Sequence, residues 1–434
     1  MSTSMSWSDA IDPPKRRRCW IDQWCRRAVQ RMLSEITEGR VELVDGVRSY
    51  TFGGVTSDFP VTARVSVHDC AFYRRAALGG HIEVARSYAD GLWTCDDLTA
   101  LIRIFARHSD TLDATDRGWA RVVEPLHRAY HWFRRNSPSG SRRNIAAHYD
   151  LGNDFFRLFL DETMTYSAGI FETSRSSMRD ASIAKLDRIC RKLRLSPDDH
   201  VLEIGTGWGS FAIHAARHYG CRVTTTTISR EQHALAQKRV EEAGLTDRVE
   251  TLLRDYRELD GQFDKLVSIE MIEAVGHQYF DTFFQKCASL LKPDGQMALQ
   301  AITIADQRFE TARRTVDFIK REIFPGSCIP SVERICRSVA SSSDLRVTHL
   351  EDITPHYATT LARWRETMYR NIEAIRALGY SDRFIRLWDF YFCYCEGGFA
   401  ERYIGTVQMT LSRPRNRSAP ILPAVDAPAI EVGA

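Results

Sequence analysis

The nine residues Val201-Leu-Glu-Ile-Gly-Thr-Gly-Trp-Gly209 constrain the fold more than any other stretch of the chain. An apolar run meets three glycines at alternate positions and opens into Ser210-Phe-Ala-Ile-His-Ala-Ala, the pattern of strand, tight turn and helix. Glycine lacks a Cβ, so the backbone can turn sharply and a bulky ligand can lie directly against it. The amides at the start of the following helix then point at that ligand.

The pattern continues downstream. Arg222–Ile228 is a β-branched strand ending at Ser229, a residue suited to cap the next helix. Val249–Leu253, Phe263–Ile269 and Gln296–Ile304 alternate with helical segments, and Lys292-Pro-Asp-Gly295 reads as a turn before the last of them. Such alternation predicts a parallel sheet with helices on both faces. Leu345–Leu350 and Tyr403–Leu411 bring the strands to seven. Two insertions, Ile304–Val339 and the aromatic-rich helical stretch Thr354–Glu401, leave the ligand-side edge and are expected to roof a pocket. Tyr369, Tyr391 and Phe392 in the second are tunnel lining or core.

At 434 residues the chain exceeds what one core usually fills. Residues 1–18 end in Lys15-Arg-Arg-Arg18 and read as a disordered basic arm. Residues 19–133 form a small α+β module: a helix over Trp20–Ile36, strands at Val41–Val44 and Ala63–Val67, then a helical pattern from Phe72 to Phe105. A linker follows at 134–143, within an Arg128–Arg143 stretch that carries five arginines and no carboxylate. The sheet domain occupies 144–412, and 413–434 is a proline-rich tail expected to be disordered.

A net charge of +3 is small for this length and does not point to nucleic acid. Eleven cysteines without a regular framework fit a reducing compartment. Cys393 and Cys395 lack a second pair at zinc spacing, so no metal is expected. No run approaches the roughly 20 apolar residues of a spanning helix.

A nicotinamide enzyme places an acid at the end of the second strand, where this chain has Thr226-Thr-Ile-Ser. The Lys292-Pro-Asp-Gly295 turn is instead common among adenosylmethionine-dependent methyltransferases. Ser268-Ile-Glu-Met-Ile-Glu273 lacks the Asn-Pro-Pro-Tyr pattern of nucleic-acid amino-methyltransferases. Seven motifs then occur in order: His148-Tyr-Asp, Tyr166-Ser, Glu203-Ile-Gly-Thr-Gly-Trp-Gly, Thr227-Ile-Ser-Arg-Glu-Gln, Ile272-Glu-Ala-Val-Gly, Phe318-Ile-Lys-Arg-Glu-Ile-Phe-Pro-Gly and Cys395-Glu-Gly-Gly-Phe.

Together they resemble the cyclopropane-fatty-acyl-phospholipid synthase and mycolic acid cyclopropane synthase family over roughly Asn144–Pro414. The resemblance implies a Rossmann-like class I methyltransferase fold. It implies S-adenosylmethionine as methyl donor, contacted at Tyr166, Ser167, Glu203, Gly205, Gly207, Thr227, Gln232 and Tyr256, with Gly209 serving helix packing. The implied reaction moves the sulfonium methyl to the cis double bond of an unsaturated phospholipid acyl chain. A carbocation forms, a base removes a proton from the new methyl group, and a cyclopropane closes.

In the family that base is a bicarbonate held by a Cys, a Glu, a His, an Ile backbone and a Tyr. The Glu falls on Glu273, the Ile on Ile302 and the Tyr on Tyr357; the Cys position is Ala168 and the His position Gln300. Gln300 can still donate a hydrogen bond, whereas Ala168 offers only its backbone. With deprotonation diverted, the same cation gives a methyl-branched or methylene product. The resemblance further implies a cytoplasmic enzyme working at the inner face of the membrane, and leaves a homodimer open. An amine N-methyltransferase and a lipid-binding protein without activity are the competing readings.

Overall fold

The computed structural model describes residues 20–109 and 152–421. The basic arm, the arginine-rich linker, the His148-Tyr-Asp motif and the end of the tail lie outside the described residues. The described chain forms two compact units, one made of 20–109 with Gly379–Glu401, the other of 152–378 with 402–421.

In the first unit, strands β1 (Gly39–Asp45), β2 (Arg48–Gly54), β3 (Thr62–Val67) and β4 (Trp93–Cys95) form a sheet in the order β2-β1-β3-β4. β1 and β2 close a hairpin through Gly46, whose φ of 62° is open to glycine. Val41, Leu43, Ala63 and Val65 alternate inward as their period-2 pattern requires. The Phe72–Phe105 stretch is not helical throughout. Helices Ala71–Ala89 and Leu98–Arg107 flank β4, because Gly91 at φ 76° turns the chain and lets Trp93 pair with Val67.

Helix Trp20–Leu33 opens this unit, and its fourth described helix, Asp382–Ala400, comes from the far end of the sequence. The Tyr88 hydroxyl donates to Asp389 (2.6 Å) and that of Thr99 to Glu396 (3.0 Å). Arg103 and Arg107 both donate to the Glu401 carboxylate, each at 2.7 Å. A Cβ on Gly397 would come within 2.7 Å of Ile102, so glycine sets how closely the helices approach. The insertion expected as one roof is therefore divided. Its last helix belongs to the first unit, with Tyr391 and Phe392 buried beside Trp388 of the same helix, and Gly397 of the Cys395–Phe399 motif packs on Ile102.

The second unit carries β5 (His200–Ile204), β6 (Arg222–Thr227), β7 (Val249–Leu253), β8 (Phe263–Ile269), β9 (Leu291–Ile304), β10 (Arg346–Asp352) and β11 (Ile404–Ser412). Their order is β10-β11-β9-β8-β5-β6-β7, parallel except that β11 runs against both neighbours. The chain starts in the middle at β5, moves out to β7 and returns to β8 beside β5. The crevice at that reversal, outside the carboxyl ends of the strands, is where such sheets bind ligands.

Lys292-Pro-Asp-Gly295 is looped out of β9, since Phe263 pairs with Leu291 and Lys265 with Gln296. Its carbonyls pin the first residues of the C-terminal stretch: Arg413 N donates to Gly295 O (3.0 Å) and Arg415 N to Pro293 O (3.2 Å). The described part of that stretch is thus held, against the expectation of disorder from 413. Among the described residues no helix is long and apolar enough to cross a membrane.

Candidate active site

The glycine turn stands at the carboxyl end of β5. Gly205, Gly207 and Gly209 take φ of 105°, 51° and 86°, and a Cβ on Gly207 would enter open space. That is the face left to a ligand. A Cβ on Gly209 would lie 3.5 Å from the Ala236 Cβ, so this glycine faces helix Arg230–Glu242 and serves packing. Glu203 points beneath the turn: its carboxyl accepts from the Thr225 hydroxyl (2.7 Å), which also bonds Thr206 (2.8 Å). Burial pushes its pKa up to about 8 against the opposing effects of Thr225 and Lys185. Glu203 therefore supports the cradle from below.

Thr227 donates to Gln232 (3.0 Å) at the end of β6, and Ser229 caps the next helix through the Gln232 amide (3.3 Å). Tyr256, in the turn after β7, sets its ring edge-on to Phe283 at 5.5 Å. Ser167 accepts from buried Lys185 Nζ (2.8 Å), an ammonium whose pKa burial lowers to about 8. Tyr166 packs among Phe156, Phe159 and Trp364 (5.3, 6.1 and 5.2 Å), and Trp364 in turn meets Tyr357 edge-on at 6.3 Å. An aromatic wall thus runs from a cofactor position to Tyr357.

The reaction candidates converge on a residue the sequence reading did not select. Glu270 leaves β8 with φ 49°, the left-handed region, its amide donating to Gln300 O (2.8 Å). Its Oε1 accepts from Ala168 N (3.0 Å) and Gln300 Nε2 (2.7 Å), and its Oε2 from the Tyr357 hydroxyl (2.7 Å). Burial raises its pKa, while Tyr357, Gln300, the Ala168 amide and the Lys185 charge pull it back. Beside it, Glu273 accepts from Ile302 N (2.6 Å) and keeps its buried Oε2 without a partner. Burial and the Glu270 charge drive Glu273 up to about 8, so near neutrality it holds a proton while Glu270 has three donors to carry a charge.

Residues 136–409 match the family model described as mycolic acid cyclopropane synthetase. The chain belongs to that family. Among its relatives, tuberculostearic acid methyltransferase UfaA1 of Mycobacterium tuberculosis is 39% identical over 350 residues, spanning 79% of this chain and 81% of that one. The cyclopropane-fatty-acyl-phospholipid synthase of Escherichia coli K12 is 34% identical over 364 residues, 83% and 90% of the two chains. The mycolic acid cyclopropane synthase CmaA1 complexed with SAH and CTAB superposes with TM-score 0.58 at 34% identity, covering 62% of this chain and 98% of that one. Coclaurine N-methyltransferase, at 18% identity and TM-score 0.60, shares the fold alone. The chain is an S-adenosylmethionine-dependent methyltransferase that modifies lipids.

Against that family background the anion cage can be tested. Three of the positions assigned to bicarbonate, Ala168, Gln300 and Tyr357, already spend their donors on the Glu270 carboxylate. Glu273 and Ile302 are bonded to each other. The residues do not fit a dissolved bicarbonate, because the Glu270 carboxylate occupies those donors. The signal for this was in the sequence as a second acid three residues before Glu273, in a chain whose Cys and His positions of the pattern are Ala168 and Gln300. Lys185, which serves Ser167 and faces Glu203 and Glu270, carried no motif at all.

Proposed function

We propose that this chain transfers the methyl group of S-adenosylmethionine to the cis double bond of an unsaturated phospholipid acyl chain, with Glu270 as the internal base. The observation that carries this reading is the convergence of Ala168, Gln300 and Tyr357 on the Glu270 carboxylate. The methyl–sulfur bond breaks as a carbon–carbon bond forms at one alkene carbon, and the charge passes to its neighbour. Aromatic faces stabilise a cation without trapping it, a role suited to the wall formed by Tyr166, Trp364 and Tyr357. A hydride shift moves the charge to the methylated carbon. Glu270 then takes a proton from the branch, leaving a methylene chain with its unsaturation retained, whereas a proton taken from the neighbouring chain carbon leaves a methyl-branched alkene.

The relative named a tuberculostearic acid methyltransferase favours this outcome over ring closure. Ring closure is the second reading, favoured by the relative named a cyclopropane-fatty-acyl-phospholipid synthase. The same reading has the enzyme work in the cytoplasm, at the inner face of the membrane. Mass spectrometry and NMR of lipids from cells expressing the chain separate the readings. One added CH2 with the double bond kept supports methylation, loss of the double bond supports the cyclopropane, and unchanged lipids overturn both.

A further inference from the structure

Glu270 ends a row of hydrogen bonds that all run in one direction. Lys192 Nζ, buried in helix Met178–Leu193, donates to Gln408 Oε1 (2.7 Å) and pairs with Glu351 (2.6 Å). Gln408 Nε2 donates to Gln300 Oε1 (3.0 Å), and Gln300 Nε2 to Glu270 Oε1 (2.7 Å). Gln408 and Gln300 are register partners on β11 and β9, both fully enclosed in the centre of the sheet.

An ammonium offers only donors and a carboxylate only acceptors, so the two ends dictate the orientation of both amides. A cross-strand position of this kind is ordinarily filled by apolar residues, since a buried polar group costs free energy unless every atom is satisfied. Here each of these polar contacts lies on one line leading to the base. An amide is ambivalent, and Gln300 alone could face Glu270 with either oxygen or nitrogen.

We propose that Lys192 and Gln408 are positioning residues: they fix the Gln300 amide with its nitrogen toward Glu270 and so keep that carboxylate charged where the proton is taken. The proposal rests on Glu270 being the base. The other groups facing Glu270 are the Ala168 amide, the Tyr357 hydroxyl and Lys185, which favour its charge, and Glu273, whose own ionisation the Glu270 charge opposes. Lys192 itself faces Glu351 and Arg188.

Gln408→Glu keeps the shape and reverses the line. The new carboxylate accepts from both Lys192 and Gln300, so Gln300 turns its oxygen to Glu270, which must then hold a proton. Lys192→Met removes the director, and Lys192→Arg restores a donor. Infrared difference spectra of the full chain, with Glu270→Gln identifying the Glu270 band, report its titration without any need for turnover. The expected result is a titration moved up by about one pH unit or more in Gln408→Glu and Lys192→Met and returned in Lys192→Arg. The acid limb of kcat/KM on dioleoyl-phosphatidylglycerol vesicles should move with it, about tenfold in rate per pH unit below the limb. An unmoved titration in both variants, with only a lower Tm, would overturn the proposal. Full turnover by Glu270→Gln would instead overturn the reading of Glu270 as base, and the infrared shift would still decide the role of the line.

Discussion

Replacing Glu270 by glycine should convert an enzyme with a built-in base into one that depends on a dissolved anion. The left-handed φ of 49° costs an L-residue about 1 kcal/mol, which glycine relieves. Against this, Ala168 N, Gln300 Nε2 and the Tyr357 hydroxyl lose their acceptor, at about 1 kcal/mol each when water can enter the space. The net loss is about 2 kcal/mol, or about 4–8 °C in Tm for a unit of this size. Bicarbonate at about ten times its Kd would return about 1.4 kcal/mol of that. Loss of a positioned base lowers turnover by about 100- to 10,000-fold. The assay is S-adenosylhomocysteine release on dioleoyl-phospholipid vesicles in carbonate-free buffer, with and without added bicarbonate, beside a thermal scan. Wild-type turnover of Glu270→Gly without bicarbonate, or a variant whose Tm and rate both ignore bicarbonate, would refute the reasoning.

Tyr357→Phe removes one donor from the base and should lower kcat about tenfold, with the acid limb of the pH profile moved upward; a profile shifted downward would contradict this. Lys185→Met leaves Ser167 without its donor and should weaken S-adenosylmethionine binding about tenfold by calorimetry, so an unchanged Kd argues against that support. Gly207→Val, at φ 51° with its side chain entering the open face, should abolish cofactor binding. Gly244→Ala, at φ 67° and also in open space but off the turn, should lose comparable stability and keep binding. Glu203 has its pKa raised by burial from 4.5 to about 8, so the stability it lends is complete below 4.5 and is lost as pH rises toward 8. The Tm of Glu203→Gln should therefore gain on wild type between about pH 5 and 8, and a constant gap would show that Glu203 does not titrate in that window.

The sheet was legible because each βα unit repeats one local pattern, and strands such as Arg222–Thr227 declare themselves by β-branching. The cradle was legible for a similar reason, since Gly205, Gly207 and Gly209 lie within one turn. Glu270 was not, because its role depends on a left-handed backbone and on donors 102, 30 and 87 residues away. An acid that receives three distant donors looks, in one dimension, like any other acid. The aromatic pattern of Asp382–Ala400 showed that the helix is buried, yet periodicity does not tell against what. That helix joined the first unit through Tyr88, Thr99 and the gap left by Gly397, all of them pairings across about 300 residues.

That distance has a consequence for synthesis. The first unit is begun at the N-terminus, but the helix that covers Tyr88 and Ile102 leaves the ribosome only after the whole cofactor cradle has been made. At about 5–20 residues per second the wait is roughly 15–60 s. Through that interval the nascent chain carries a half-built core with its apolar face open. A chaperone that shields residues 71–107 until translation passes Glu401 should raise the yield of the enzyme, whereas fragments ending before Gly379 should aggregate.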